Sequence, residues 1–307
     1  MPSPNSIAPW AVLCTMILSP GAPALAHGFA GDRFFPATLL TDDPFVADEI
    51  SLPTVRWNPT GPDGSREFDI EGDLAKRITP DLGFTIGDQW QRLKVPGGGA
   101  TGIGTLDTGL QYQLFVNAPH EAIGLVNLGV SWGHTGRVAA LGADDFTTIS
   151  PGFNFGKGFG DLPNSVPYLR PLAVTGNLGF DFPAKSHSAG SPNATSLNYG
   201  AAIEYSLPYL QSAVTDIGLR PPFNRLIPVV EFAFSSPIDN IGLGQTTTGT
   251  IQPGIIWAGQ YFQIGAEAII PATRATGHGI GGVVQLHLYL DDLLPKSLGR
   301  PISQWAQ

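Results

Sequence analysis

The chain has one cysteine, Cys14, and two methionines, Met1 and Met16, in 307 residues. All three fall in the first 26 residues. If that stretch is removed on export, the mature chain carries no sulfur. It then has no disulfide, no thiol nucleophile and no cysteine metal site, and nothing oxidation-prone for an oxidising compartment. Charge is also scarce, at 13% of residues, about half the usual share. No apolar run approaches the ~20 residues of a spanning helix, which excludes a helical membrane protein. Hydrophobic residues at 42% and aromatics at 10% exclude a disordered chain. The 16 basic residues form no cluster against 25 acidic ones, for a net charge of −9. A nucleic-acid partner, which needs a basic patch, is therefore not expected.

Residues 1–26 contain no charged side chain, and Ala8 to Leu18 form a short apolar stretch. Ala24-Leu25-Ala26 fits the small-x-small rule for signal peptidase cleavage. We expect 1–26 to be a signal peptide whose only positive charge is the α-amino group. Leu13, before Cys14, is too large for a lipoprotein cleavage site.

What the chain has in abundance is glycine (39) and proline (28). With Asn and Asp they divide residues 49–291 into segments of alternating polarity. In Leu197 to Leu207, the residues Leu197, Tyr199, Ala201, Ile203, Tyr205 and Leu207 share one face and Glu204 lies on the other. Leu106, Leu110, Tyr112 and Leu114 oppose Asp107, Gln111 and Gln113, and Val284, Leu286 and Leu288 oppose Gln285 and His287. Twelve segments follow from this pattern, near 49–57, 66–77, 81–91, 104–117, 120–133, 145–158, 167–182, 195–208, 224–236, 247–258, 260–271 and 278–291. The first is the least regular, since neither face of Glu49 to Trp57 is cleanly apolar.

A soluble sandwich and a membrane barrel both alternate. The strands here are long enough to span a bilayer when tilted, whereas soluble strands average about 5–6 residues. The polar face is rich in glycine yet carries charges near strand centres. Trp57, Trp90, Trp132, Tyr168, Phe182, Trp257 and Tyr289 fall near segment ends, where an aromatic girdle would sit. The expected fold is all-β, an antiparallel transmembrane β-barrel of about twelve strands over 49–291. Residues 27–48 precede it as a plug or a periplasmic rim, and 292–307 follow as a C-terminal tail.

The run His27-Gly28-Phe29-Ala30-Gly31-Asp32-Arg33-Phe34-Phe35-Pro36, then Asp42-Asp43-Pro44-Phe45 and Leu52-Pro53-Thr54, resembles outer-membrane proteins of the MetA-pathway of phenol degradation family. Lys76-Arg77-Ile78-Thr79-Pro80 and Leu288-Tyr289-Leu290-Asp291-Asp292 fit the same resemblance. It implies a bacterial outer-membrane barrel concerned with passage of hydrophobic or aromatic compounds. Partners would be outer-membrane lipid, the barrel-assembly machinery and small hydrophobic molecules.

The candidate site is the polar face itself. Glu71, Asp107, Glu204, Glu231 and Glu267, with Gln111, Gln113, Gln285 and His287, are expected to face the lumen, because a charge at the lipid midplane costs roughly 2–4 kcal/mol for Arg or Lys and less for acids. Such a lumen either favours cations and polar groups or is plugged by internal ion pairs. His287 is expected to bond a lumenal carboxylate such as Glu267. Arg170 shares parity with the apolar Val174, Leu178 and Phe180 unless a bulge near Pro171 resets the register.

Gly129-Val130-Ser131-Trp132-Gly133 matches the nucleophile-elbow pattern, but no helix follows. Gly277-His278-Gly279-Ile280-Gly281-Gly282 matches a dinucleotide fingerprint, but a strand pattern follows. The remaining histidines lack ligand spacing, so no metal and no cofactor is expected. Three functions stay open: a passive channel, a lipid-acting barrel enzyme, and a structural or binding barrel with a filled lumen.

Overall fold

A computed structural model describes residues 28–137, 145–188 and 190–305. The expected signal peptide, 1–26, and His27 lie outside the described residues. Twelve strands form one closed antiparallel barrel: β1 (Glu49–Trp57), β2 (Arg66–Arg77), β3 (Leu82–Val95), β4 (Leu106–Asn117), β5 (Ala122–Trp132), β6 (Thr148–Gly158), β7 (Leu172–Pro183), β8 (Thr195–Tyr205), β9 (Leu226–Asp239), β10 (Thr248–Ala258), β11 (Phe262–Pro271) and β12 (Gly281–Tyr289). Each pairs with its neighbour in sequence. β12 closes the ring on β1, with Val284 opposite Val55 and Tyr289 opposite Glu49. A closed ring leaves no unpaired sheet edge. An extra strand, Gly98–Ile103, extends the β3 hairpin beyond the ring. Its turn needs Gly97, whose φ of +85° is a conformation that glycine adopts freely.

The side chains are distributed the opposite way from a soluble β-protein. Leu110 is 50% exposed, Ile203 47% and Val284 52%, all facing out, while inside the ring Glu204 is 1% exposed and Glu231 0%. Water would penalise that apolar exterior, whereas hydrocarbon accepts it.

The irregularity of β1 has a local cause. Glu49 and Ser51 face inward, and so do Thr54 and Arg56, so the parity switches at Leu52-Pro53. The pairings with β2 and with β12 both shift register there. This is a bulge, and it sets the second half of the strand on the opposite alternation from the first.

One end of the barrel carries both ends of the strand array and the tight turns 78–81, 118–121 and 259–261. The same end also carries the connections 159–171 and 206–225, and the other end carries 58–65, 96–105, 133–147, 184–194, 240–247 and 272–280. β7 begins at Leu172, later than the expected 167. Arg170 therefore lies in the connection before it, donating to Gly160 O at 2.9 Å, and the parity question does not arise. After β12 the chain turns back through a short helix, Leu290–Leu293. It then docks on the β2–β3 turn, where Ser303 N donates to Ile78 O at 2.9 Å and Lys76 Nζ to Arg300 O at 2.8 Å.

Candidate functional site

Residues 28–48 run inside the ring. Their polar partners come from strands on every side of it: β1, β2, β4, β6, β9 and β11. Three anchors hold this internal strap. Near the termini, Arg33 pairs with Glu121 at 3.1 Å and lies 3.7 Å above the Tyr209 ring. Glu121 also accepts from Tyr209 OH at 2.6 Å and from Gly160 N at 2.9 Å. Burial, then that bond to Glu121, pushes the Tyr209 phenol up to about 12. At the start of β1, Asp48 accepts from Lys76 Nζ at 2.6 Å and from Arg77 Nε at 2.9 Å.

The middle anchor is Glu231. Its carboxylate accepts from the backbone N–H groups of Leu39 (2.7 Å), Leu40 (3.1 Å) and Thr41 (2.7 Å), and from Thr41 Oγ1 (3.0 Å). The strap's own carbonyls are met too. Gln263 Nε2 donates to Ala37 O, and Asn154 Nδ2 donates to Asp43 O at 3.0 Å. Gln113 accepts from Val46 N at 3.1 Å and donates to Pro44 O at 3.2 Å. Apolar strap residues pack against the wall: Leu39 with Ile227, Val229 and Ile256, and Phe35 and Phe45 with Ile123 and Ala173. The wall is bare at these contacts. A side chain at Gly265 would meet Leu39, and one at Gly83 would meet Val46 at 2.6 Å.

Above the strap lies a chamber of about 510 Å³. Its floor is Thr38 to Asp43 and its walls come from β1 to β8 and from β12. Seven carboxylates line it: Asp42, Asp43, Glu49, Glu71, Asp73, Asp107 and Asp181. The basic side chains lining it are Arg56 and His287. Arg56 lies 3.9 Å from Glu71. His287 Nε2 lies 3.1 Å from Glu49, and its Nδ1 lies 2.8 Å from Ser51 Oγ. The expected partner of His287, Glu267, is replaced by Glu49 because the β12–β1 register sets His287 opposite Ser51, beside Glu49.

The expected lumen residues therefore divide. Glu71, Asp107, Gln111, Gln285 and His287 line the chamber. Gln113 and Glu231 hold the strap. Glu204 and Glu267 are buried in the lumen but do not line the chamber; Glu204 is bonded by Thr175 at 3.5 Å. Sequence reading missed Asp73, Asp181 and Glu49. The first two follow from parity: Asp69, Glu71 and Asp73 alternate with Phe68, Ile70 and Leu74, and Asp181 alternates with Phe180 and Phe182. Glu49 is hidden by the β1 bulge. Asp42 and Asp43 carry no signal until the strap is known to lie inside.

Ser131 Oγ donates to Asp107 Oδ1, so its partner is a carboxylate rather than the imidazole a nucleophile needs. The Gly277–Gly282 run enters β12 with positive φ at Gly277 and Gly279, in the loop that bridges to Thr60.

No family model matches the chain, and no curated protein matches it in sequence. Among solved structures it is similar to the KdgM porin, at 8% identity over 76% of this chain and 98% of that one, with a TM-score of 0.45. It is similar to the NanC porin at 6% identity over 77% and 98%, with a TM-score of 0.47. It is also similar to the translocator domain of the autotransporter NalP from Neisseria meningitidis, at 11% identity over 78% and 87%, with a TM-score of 0.41. At these identities the likeness is one of fold alone.

Proposed function

We propose that the chain is a bacterial outer-membrane channel for small molecules, with residues 28–48 acting as a plug seated from the periplasmic side. The observation that carries this is the chamber: a polar space of about 510 Å³ inside an apolar-skinned barrel, floored by the strap. The apolar skin supports contact with lipid, and the tight turns support a periplasmic position for the strap's end. Export through the signal peptide and insertion by the barrel-assembly machinery belong to the same reading.

The plug's many wall contacts also fit a second reading, a binding or structural barrel whose lumen stays filled. Conductance separates the two. The full chain, reconstituted in a planar bilayer, is expected to give rare, small openings. A chain lacking residues 28–45 is expected to give larger and more frequent steps. If that deletion variant folds, as judged by a heat-dependent mobility shift on an SDS gel, and still passes no current, the channel reading falls.

A further inference from the structure

The chamber above the strap has a chemical bias beyond being polar. Five of its carboxylates, Asp42, Asp43, Asp73, Asp107 and Asp181, have no ion-pair partner among the described residues. Asp107 and Asp181 accept from serine hydroxyls, Ser131 and Ser150, which satisfies one lone pair each. A second feature, independent of charge, points the same way. Gln285 lines the chamber and is only 7% exposed, and its Nε2 donates to Thr54 Oγ1 at 3.1 Å. Its Oε1 is buried with no hydrogen-bond partner. Asn177, on the β7 wall, has an unpartnered buried Oδ1 as well. A buried acceptor left unpaired costs about 1–3 kcal/mol, so such atoms call for a donor. The chamber thus has a surplus of carboxyl groups over basic side chains and a surplus of unpaired acceptors. A bare hydrophobe would satisfy neither.

We propose that this chamber binds a small, donor-rich organic cation of the diamine or guanidinium type, and that the plug completes the site by supplying Asp42 and Asp43. A cavity of about 510 Å³ lies within the range of small-molecule sites. An extended diammonium chain carries a charge and three donors at each end. Asp73 and Asp107 on the β2–β4 wall and Asp42 and Asp43 on the strap floor line the same cavity, so carboxyl groups are on hand for both ends of the diammonium. The opposing cations are already engaged, Arg56 at Glu71 and His287 at Glu49. This deepens the channel reading by naming the solute, but the binding itself requires no conduction.

The test is calorimetric titration of the full-length, detergent-folded protein with putrescine, its neutral analogue butane-1,4-diol, the dianion succinate, and magnesium chloride. Saturable heat is expected with putrescine alone. Asp73→Asn and Asp107→Asn are each expected to weaken binding about tenfold, the loss of one charge-assisted contact. Asp42→Asn, on the strap rather than a barrel strand, is expected to do the same and so separates loss of the site from loss of the barrel. Absence of putrescine heat overturns the proposal. So does diol or succinate binding of equal strength, magnesium binding with no diamine preference, or undiminished affinity in the three variants. Putrescine binding without any current from the plug-deleted barrel would retain this site and remove the channel.

Discussion

Glu231 illustrates how a charge can be held at 0% exposure on a strand otherwise flanked by Val230 and Phe232. A carboxylate has room for about four donors, and here three successive backbone N–H groups and a hydroxyl fill them. The strap gains equally, because its loop of residues 39–41 forms no ladder of its own and would otherwise leave those donors orphaned in the lumen. Glu231→Ala removes every acceptor at once. It is expected to destabilise the seated strap by about 3 kcal/mol, since donors are stranded as well as bonds lost. Limited proteolysis would read this as new cleavage between residues 36 and 47, with the barrel intact. Unchanged protection would mean that the apolar contacts of Phe35, Leu39 and Phe45 hold the strap without the glutamate.

At the scale of elements, the positions of the twelve strands were legible in the alternation, because a barrel in lipid holds one parity over most of each strand. Where parity breaks, legibility fails. β1 switches face at its bulge, and the inward Glu49 was lost with it. The strap was legible as a plug or a periplasmic rim but not in its contacts, since its order comes from distant strands rather than from any local period. Its role as the floor of the chamber was therefore beyond reach, and with it two of the seven chamber carboxylates. The outer loops show the same dependence on distant partners. Asp145, after β5, is held below the usual carboxylate range by hydrogen bonds from Lys185 and then Ser188, which tie the 133–147 and 184–194 loops together. A depressed folded-state pKa contributes stability above the unfolded value of 3.8, and that contribution is lost as pH falls through the lower folded value. Pepsin cleavage within 184–194 is therefore expected to accelerate between about pH 4 and about pH 2, relative to Asp145→Asn, in which the tie is absent at both. An equal ratio at the two values would remove Asp145 as the tie.

The whole molecule is inverted relative to a soluble β-protein, and that inversion has a consequence for its unfolding. The barrel closes through β12–β1, so it cannot fray from an edge strand, and opening any one seam exposes two ladders of unpaired backbone at once. The interior adds to this, because the strap is bonded to six strands around the ring, and every seam but β7–β8 is flanked by at least one of them. Detergent can replace lipid on the apolar skin without disturbing either network. SDS at room temperature should therefore leave the folded ring intact, and only heat should open it. An unheated sample of the outer-membrane fraction is expected to migrate faster on a gel than the same chain after boiling, because the compact barrel binds less detergent and drags less. A single band at one mobility, in a periplasmic soluble fraction, would overturn the architecture, since the exposed Leu110, Ile203 and Val284 would then have to be covered by something other than lipid.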